Sequence, residues 1–437
     1  MSIVIAILVL SFLIIVHELG HFAAAKRLGV KVLEFSLFMG PRLLSFKRGE
    51  TNYSLKLIPI GGACVMEGEE KASEDSRAYN QKPKWARAVI CAAGPFMNLL
   101  TAFLLLLIIN LTGGYATNAI SFVGQGSAAA LAPEPLAVGD VITKYAGKKV
   151  AVPSEVFIYL QDTKGAPVEV EFLRDGVVHK TRLTPEYTPG KRYVLGFSGA
   201  AANGPDWNLV AQVGEGDPAD IIGIAPGDRI LTVDGATPNS REELRAILEA
   251  AGGGEVAVTW QKADGSAASA RVAPKLTNDQ DSYSIGLAFT AVSAPGFLDG
   301  CRFAFHNAVA FSKMVLYSLK WMVTGSIGLN QVSGPVGIVA EIGAGVAETS
   351  RSEQGMSAVM AYLMNLTALI GINLGLFNLI PFPPLDGSKL LLLVVEAVRR
   401  KPIPPEREMA ISMFGFAVLI AVMVLTLFND IGRLVAK

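Results

Sequence analysis

The chain begins MSIVIAILVLSFLIIVHELGHFAAAK, Met1–Lys26, and this stretch decides the fold. Its first 16 residues carry no charged side chain, and His17, Glu18 and His21 then follow within five positions. A helix needs about 20 apolar residues to cross a bilayer, so the stretch is long enough to span one. Ionisable side chains at membrane depth are costly and by default mark a functional site. The stretch therefore predicts a membrane-spanning helix that contains functional residues.

A secretory signal peptide is the alternative for this stretch, because FAAAK resembles a small-residue cleavage site. No Lys or Arg precedes the apolar run, and the two histidines and the glutamate interrupt it. Both features are atypical of a signal peptide and favour a retained helix.

The composition is that of a membrane protein. Hydrophobic residues make up 51% of the 437 residues and charged residues 17%, against roughly 25% charged residues in a soluble domain. The net charge is zero, and no Lys/Arg cluster is interleaved with aromatic residues, so we expect no nucleic-acid partner. Cys64, Cys91 and Cys301 are too widely spaced for a disulfide framework or a metal knuckle, and we interpret them as packing residues.

Four segments are apolar enough, and long enough or nearly so, to cross a bilayer. They are Ser2–Ala25, Ala88–Leu111, Ala358–Ile380 and Met409–Phe428. A further apolar-rich stretch, Ala308–Leu329, contains Lys313 and Lys320, and we interpret it as an interfacial helix.

Lysine and arginine in short loops indicate the cytoplasmic side of a membrane protein. Residues 26–87 carry twelve of these cations, and the loop at 381–408 carries five more. Both segments should therefore face the cytoplasm. The middle, Gly113–Asp299, and both termini should then lie outside.

The middle of the chain contains an internal repeat. LAVGDVITKYAGKKV, Leu136–Val150, matches IAPGDRILTVDGATP, Ile224–Pro238, at a spacing of 88 residues. VEVEFLRDG and VAVTWQKADG match at the same spacing, with one residue inserted. Each copy has the pattern of a strand, a glycine turn, a helix and an alternating strand. A repeat of this length indicates duplicated α+β domains, because solenoid units have only about 20–50 residues.

The pattern GD-x-I-x-x-x-x-G followed by a helix resembles PDZ domains, which bind extended peptides by adding a strand to a sheet edge. The second copy matches well, and the first has Ala146 where the second has Asp234. The alternative is that both domains are folded spacers without a peptide groove, because a fold does not by itself define a function.

His17, Glu18 and His21 form the pattern H-E-x-x-H. Residues at i and i+4 lie on one face of a helix, so the two imidazoles can hold one cation. The glutamate is offset from them, near the open coordination position, where it can act as general base toward a water that zinc activates. The alternative is a polar patch that packs against other helices, since ionisable groups in spans do pair with one another.

A catalytic zinc site usually has a third protein ligand. NLIPFPPLDG, Asn378–Gly387, ends the third apolar segment, and its prolines should stop or bend the helix. Asp386 then lies at a depth similar to that of the H-E-x-x-H motif, on the cytoplasmic side of the predicted topology. A turn aspartate after proline is the alternative, but next to the histidine pair we favour ligation.

Four further segments complete a resemblance to a known family: IPIGG at Ile58–Gly62, GPFMN at Gly94–Asn98, VSGPVGI at Val332–Ile338 and FNDIGRL at Phe428–Leu434. Along nearly its whole length the chain resembles the site-2 protease family of intramembrane zinc metalloproteases. It is most similar to members with two exported PDZ-like domains. Each motif alone is short, and their combination is specific.

The resemblance implies a zinc metalloendopeptidase in which the histidine pair and Asp386 bind Zn²⁺ and Glu18 is the general base. Asn378, and with it Asn373, would bind or polarise the substrate backbone. The segment Val32–Met66 would be a membrane-associated β-hairpin region that meets the unwound substrate.

The resemblance also implies regulated intramembrane proteolysis in a stress response at the bacterial inner membrane. The substrate would be a single-span membrane protein, usually an anti-sigma factor, whose external domain an upstream site-1-type protease has trimmed. The PDZ-like pair would act as a size filter, and membrane lipid would surround the spanning helices.

The predicted fold class is a polytopic α-helical membrane protein with four transmembrane helices, a membrane-associated β-hairpin region and two inserted α+β PDZ-like domains. The first two spans and the hairpin occupy residues 1–112, and the PDZ-like domains occupy 113–198 and 199–292. The interfacial helix and a linker occupy 293–357, and the last two spans occupy 358–437.

Two departures from the family pattern affect the predicted site. Members often have LDGGH where this chain has LDGSK, Leu385–Lys389, which alters local packing. Ala63 and Cys64 follow IPIGG, where an aromatic residue or valine is common, and this bears on substrate preference at the hairpin edge.

Two other classes of function are alternatives. A membrane-anchored PDZ scaffold or pseudoprotease would keep the fold without the chemistry, but the complete H-E-x-x-H motif and Asp386 argue against it. A metal-ion transporter commonly has repeated or broken helices with polar groups in several spans, whereas here the repeat lies in the soluble part.

Overall fold

The computed structural model describes residues 2–69, 71–199, 206–278, 281–293, 295–326, 334–350 and 355–435. The chain divides into two compact units. The first, Met1–Tyr115 with Ser293–Lys437, contains the apolar helices and is called the helical unit below. The second, Ala116–Val292, contains the repeat and is called the repeat unit. The individual domain boundaries stay predictions.

Helices and strands are numbered in chain order. The helices are α1 Ser2–Arg27, α2 Lys84–Gly113, α3 Pro153–Thr163, α4 Pro218–Ile221, α5 Arg241–Ala251, α6 Phe297–Val323, α7 Pro335–Ser350, α8 Met356–Leu379, α9 Asp386–Arg399 and α10 Pro405–Val435. The strands are β1 Val32–Arg48, β2 Thr51–Met66, β3 Tyr115–Val123, β4 Val141–Tyr145, β5 Lys148–Lys149, β6 Val168–Arg174, β7 Val177–Leu183, β8 Glu186–Thr188, β9 Lys191–Val194, β10 Phe197–Gly199, β11 Val210–Val213, β12 Arg229–Val233, β13 Val256–Gln261, β14 Ala267–Val272, β15 Lys275–Asn278, β16 Ser282–Ser284 and β17 Leu287–Val292.

In the part of the chain that the structure describes, four helices of the helical unit are long and apolar enough to cross a membrane, which confirms the prediction of four candidate spans. They are Ile3–Arg27 in α1, Lys84–Gly113 in α2, Met356–Leu379 in α8 and Arg407–Asp430 in α10. α2 begins four residues before the apolar run, because Pro83 is the extended residue that precedes the helix and the polar first turn is helical as well. Apolar length therefore predicted the existence of each span better than its ends.

Glycines let α1 and α8 approach α2 closely. A Cβ atom at Gly20 of α1 would overlap the backbone carbonyl of Ala93 in α2. At Gly375 of α8, a Cβ atom would lie 3.1 Å from the carbonyl oxygen of Pro95 in α2. Small residues permit such contacts between helices in lipid, where no hydrophobic force drives association. The middle of α2 thus packs tightly against both neighbours.

α6 packs along α2. Ala304 of α6 is fully buried in one cluster with Ala102 and Leu106 of α2. α6 covers most of the interfacial helix predicted over 308–329, of which residues 327–329 lie outside the described residues. The same holds for 332–333 of the VSGPVGI motif. A location of α6 at the membrane interface stays a prediction.

β1 and β2 form the hairpin expected over Val32–Met66. Residues 32–37 pair with 62–66. Residues 34–37 also pair with 52–55, and 42–48 pair with 51–56. The chain folds back in this way because Phe38 and Gly40 have φ angles of 69° and 87°, outside the extended region. The segment Gly62–Met66, called the edge strand below, has β1 as its only strand partner within the described residues.

The repeat unit has the predicted order of elements in both copies. The first runs β4, a glycine turn, α3 and β6, and the second runs β12, a glycine turn, α5 and β13. The first copy belongs to a sheet in the order β17-β3-β4-β6-β7, with β5 paired to β4, and the second to the sheet β12-β13-β14. The identification of these domains as PDZ-like stays a prediction.

The Gly-Asp pair of the repeat has the same structural role in both copies. Asp140 Oδ2 accepts a hydrogen bond of 2.8 Å from the N–H of Ala137, and Asp228 Oδ2 accepts one of 3.0 Å from the N–H of Ala225. Both aspartates are buried, and buried carboxylates need such partners. The motif therefore closes the loop before each strand.

The glycine turns of both copies have left-handed backbone. Ala146 and Gly147 have φ angles of 49° and 74°, and Asp234 and Gly235 have φ angles of 50° and 79°. Two successive positive φ angles are typical of type I′ turns, for which Asn-Gly and Asp-Gly are the favoured sequences. The first copy thus places an alanine where the turn favours Asn or Asp.

Replacing Ala146 with Asn should raise the free energy of unfolding of the repeat unit by about 0.5–1 kcal/mol, because Asn adopts left-handed backbone more readily than alanine. Asp234→Ala is the matched control and should lower it by a similar amount. Limited proteolysis of the full chain in increasing urea measures both changes. An unchanged midpoint for Ala146→Asn would contradict the assignment of strain to this turn.

Candidate metal centre

Three side chains from distant parts of the sequence meet at one point of the helical unit. His17 and His21 lie one turn apart on α1, and they are only 8% and 9% exposed. Their Nε2 atoms are 3.1 Å apart. Asp386 Oδ2 lies 3.0 Å from His17 Nε2 and 3.3 Å from His21 Nε2. The structure thus brings the histidine pair together with the aspartate expected to be the third ligand.

Asp386 reaches the histidines because the chain turns between α8 and α9. α8 ends at Leu379, and Asp386 is the first residue of α9. Pro381, Pro383 and Pro384 lie between the two helices, and a proline inside a helix would remove a hydrogen bond and clash with the preceding turn. The proline segment therefore ends α8, as predicted.

The three atoms fit a metal ion. Zn²⁺ binds nitrogen and carboxylate oxygen at about 2.0–2.2 Å in a tetrahedron, which separates ligand atoms by about 3.3 Å. Here the separations are 3.0–3.3 Å. Within the described residues, this is the group of His, Cys, Asp and Glu side chains that could hold a metal ion. Gly94 of α2 leaves the space free, because a Cβ atom there would overlap both Nε2 atoms.

The far side of each imidazole faces α2. His21 Nδ1 lies 2.8 Å from the carbonyl oxygen of Ile90, so Nδ1 carries the proton and Nε2 offers its lone pair. His17 Nδ1 lies 3.3 Å from the side-chain amide nitrogen of Asn98. Asn98 is fully buried, and its Oδ1 has no hydrogen-bond partner among the residues the structure describes. If the side-chain amide of Asn98 is rotated by 180°, Oδ1 accepts a hydrogen bond from His17 Nδ1–H. His17 then has the tautomer with the proton on Nδ1, which metal ligation through Nε2 requires.

Two ion pairs hold α9, the helix that begins with Asp386. Near its start, Lys389 Nζ lies 2.7 Å from Glu69 Oε1. Near its end, Oε2 of the buried Glu396 lies 3.0 Å from Nη1 of Arg87 in α2. In α9, Asp386, Lys389 and Glu396 are spaced i, i+3 and i+10, so their side chains share one face of the helix. The orientation of α9, and with it that of Asp386, is therefore fixed at both ends.

A small cavity of about 140 Å³ adjoins the three candidate ligand atoms. A second space of about 420 Å³, called the cleft below, lies next to it and reaches Met409 of α10. Glu18, Cys64, Glu69 and Lys389 line both spaces. These four residues therefore lie at the boundary between the cavity and the cleft.

Glu18 lies between the candidate ligands and the edge strand. A Cβ atom at Gly62 would be 3.3 Å from Glu18 Cγ, so the strand passes directly over this side chain. A carboxylate in this place can exchange a proton with a water in the cavity and also reach a chain that lies in the cleft.

Asn373 and Asn378 are not brought into this group. Both lie in the last two turns of α8, and neither is among the described residues that line the cavity or the cleft. Asn373 Oδ1 is buried without a hydrogen-bond partner among the described residues. A role of either residue toward substrate stays a prediction.

Three residues of the site were not predicted. Asn98 ends the GPFMN segment, and its place in a family motif was the available signal. Glu69 and Lys389 are 320 residues apart, and no local pattern links them. Lys389 belongs to the LDGSK departure, which therefore supplies an ion pair as well as different packing.

The chain belongs to a family of metallopeptidases. Residues 5–422 match the model of peptidase family M50, and the match covers nearly the whole chain. The zinc metalloprotease RasP of Shouchella clausii is 26% identical over 98% of both chains. The regulator of sigma-W protease RasP of Bacillus subtilis is 27% identical over 98% of this chain and 97% of its own. The zinc metalloprotease RasP of Geobacillus kaustophilus is 27% identical over 99% and 98%.

These similarities confirm two predictions. The resemblance to the site-2 protease family is confirmed by the match to family M50. The prediction of a zinc metalloprotease agrees with the family and with the names of its relatives. Membership of a peptidase family leaves the metal-ion transporter without support.

Replacing Asn98 with Ala should lower the affinity for Zn²⁺ about 10- to 100-fold, because a metal-bound histidine depends on the group that holds its other ring nitrogen. Asn110→Ala is the matched control, since Asn110 is another buried asparagine of α2 and contacts the carbonyl of Gly300 instead. Competition with a chromophoric chelator measures both affinities. Equal zinc affinity in the two variants would contradict the role given to Asn98.

Proposed function

We propose that the protein is a zinc metalloprotease that hydrolyses a peptide bond in the transmembrane segment of a pre-trimmed, single-span membrane protein. In this proposal His17, His21 and Asp386 bind Zn²⁺, and Glu18 is the general base. The observation that carries the proposal is the position of Glu18, between three convergent ligand atoms and a strand whose outer edge has no strand partner among the described residues.

The chemistry divides between the metal and the chain. Zinc supplies Lewis acidity when bound, which polarises a carbonyl and lowers the pKa of a water to about 7. Glu18 accepts a proton from the attacking water and later donates one to the leaving amine. Asn378, in the last turn of α8, is proposed to donate a hydrogen bond to the oxygen on which negative charge develops, a role that the family resemblance implies.

The edge strand is the proposed binding site for the unwound substrate. A helical substrate hides its carbonyl groups in i to i−4 hydrogen bonds and must unwind locally before it can be cut. In a bilayer the freed backbone groups need new partners, and an unpaired strand edge provides them. Gly62–Met66 has such an edge next to Glu18 within the described structure, which supports this assignment.

The proposed location is the bacterial inner membrane. Loops 26–87 and 381–408 face the cytoplasm, and the repeat unit and both termini lie outside, as the distribution of lysine and arginine indicates. Large apolar side chains of the hairpin support contact with lipid: Met39, Leu44 and Phe46 are 53%, 68% and 64% exposed. Exposed apolar groups of this size mark membrane or protein contacts.

The proposed substrate is an anti-sigma factor. The name of the Bacillus subtilis relative, regulator of sigma-W protease, supports a substrate of this kind. In the proposal, which follows the regulator of sigma-E protease type, an upstream site-1-type protease first trims the external domain. The repeat unit then acts as two PDZ-like domains that admit only trimmed substrates.

A membrane-anchored scaffold or pseudoprotease is the second candidate. It requires that the convergent ligands be structural only. The cavity at these ligands, with the cleft beside it, favours an enzyme, because a structural zinc site is closed by four protein ligands and leaves no space for water or substrate.

Replacing Glu18 with Gln should reduce cleavage of a tagged single-span substrate at least 100-fold, because the general base is lost. Zinc content should stay that of the wild type, since the ligand atoms are unchanged. Glu67→Gln is the matched control, because Glu67 lies just beyond the edge strand and is not among the residues that line the cavity. Gel assays with purified protein in detergent, with and without a chelator, measure the rates.

Full activity of Glu18→Gln would contradict the proposed mechanism. Activity of the wild type that survives complete removal of zinc would do the same. A zinc-loaded wild type that cleaves none of a panel of single-span substrates would favour the scaffold.

A folded domain on the external end of the substrate should slow cleavage at least tenfold relative to a short stub, because the repeat unit excludes it. The matched control carries the same domain on the cytoplasmic end, where no exclusion is expected. Initial rates in proteoliposomes measure the difference. Equal slowing by both fusions would contradict a filter on the external side.

A further inference from the structure

Lys389 and Glu69 form an ion pair inside the site, with Nζ 2.7 Å from Oε1. Their side chains are only 29% and 21% exposed. Burial lowers the pKa of Lys389, but the charge and the hydrogen bond of Glu69, together with the neighbouring Cys91 and Tyr79, raise the pKa above its usual range. The lysine is therefore charged, and separating the pair would leave both charges poorly solvated.

The pair links two parts of the site that are distant in the sequence. Glu69 follows the last residue of the edge strand, Met66, by three positions. Lys389 follows Asp386 by three positions, one turn along the same face of α9. Both residues line the cavity and also the cleft. A polar link thus runs from the end of the edge strand to the helix of the proposed third ligand.

The edge strand itself offers little to fix a substrate in one register. Its residues beside Glu18 are small, with Gly62, Ala63 and Cys64 in succession. Backbone hydrogen bonds do not select a register either, because every substrate residue offers the same groups. Flat strands rich in glycine are for this reason prone to slip.

We propose that Lys389 and Glu69 are positioning residues that fix the register of the substrate strand relative to the metal centre and so decide which peptide bond is cut. The inference rests on the proposed function, in which the substrate pairs with the edge strand and Asp386 binds the metal. The two residues hold the end of the edge strand against the helix of Asp386, and both line the cleft, where their side chains meet the substrate strand away from the reacting atoms.

The distance involved is small. A strand rises by about 3.3 Å per residue, so a shift of this size brings the neighbouring peptide bond to the metal. A slip by one residue also turns every side chain to the opposite face. A link that holds the edge strand to within a fraction of about 3.3 Å therefore presents one peptide bond of the substrate to the metal. Without the link, two neighbouring bonds could be cut.

The test compares Lys389→Met and Glu69→Gln with the wild type, and adds the exchange of Lys389→Glu with Glu69→Lys. Lys31→Met is the matched control, because Lys31 pairs with Glu67 and Asp75 near the same strand end, and neither of these partners belongs to α9. Full-length protein in detergent cleaves a single-span substrate, and mass spectrometry of both fragments identifies each cut bond. Zinc content and thermal unfolding are measured on every variant.

We expect one main cut from the wild type and from Lys31→Met. Lys389→Met and Glu69→Gln should each cut at two or more adjacent bonds, with kcat reduced about tenfold and with KM and zinc content nearly unchanged. The exchanged pair should restore a single cut. A link that only stabilises the fold would lower the unfolding temperature and leave the cut position unchanged, which would overturn the inference.

A second measurement does not need activity. Hydrogen exchange of the zinc-loaded chain should show faster exchange over residues 62–69 in Lys389→Met than in Lys31→Met. If the wild type binds zinc but cleaves nothing, the proposed function fails, and this comparison still decides whether the pair holds the edge strand. Equal exchange in the two variants would reject the link.

Discussion

The helical unit depends on the burial of two histidines and a carboxylate at one point beside apolar helices. Removing such groups from water costs free energy unless each finds a partner. His21 Nδ1 has the carbonyl of Ile90, and His17 Nδ1 has the amide of Asn98. The two Nε2 atoms and Asp386 Oδ2 are then left facing one another within 3.3 Å. Three acceptors that converge in this way repel, and a cation between them removes the repulsion.

This constraint explains where the fold is tight. α2 supplies the partners for both imidazoles, so α1 must approach its backbone closely, which Gly20 permits. Gly94 keeps the space between the helices free for the ligand atoms. Asp386 comes from a third helix, and the ion pairs of Lys389 and Glu396 hold that helix at both ends. The close contact between α1 and α2 and the ion pairs at both ends of α9 thus hold the three candidate ligand atoms in one arrangement.

The part of this site that the sequence predicted is the part with local signals. The H-E-x-x-H spacing is a property of a single helix, and the prolines before Asp386 mark the end of another. Asn98, Glu69 and Lys389 could not be assigned, because contacts between distant segments leave no periodicity in a sequence. In the repeat unit, the spacing of 88 residues predicted two copies. It did not predict that β17 returns to pair with β3, since that pairing is decided when the sheet assembles.

The pairing of β17 with β3 has a consequence for how such a chain can change. The first and last strands of the repeat unit are neighbours in one sheet, so the chain enters and leaves this unit at adjacent points. Domains with adjacent ends can be inserted into a host with little disturbance of its packing. The connection between α2 and α6 is therefore a position at which whole domains can be inserted. During evolution the inserted domains can be lengthened, duplicated or exchanged, while selection on the membrane helices continues independently.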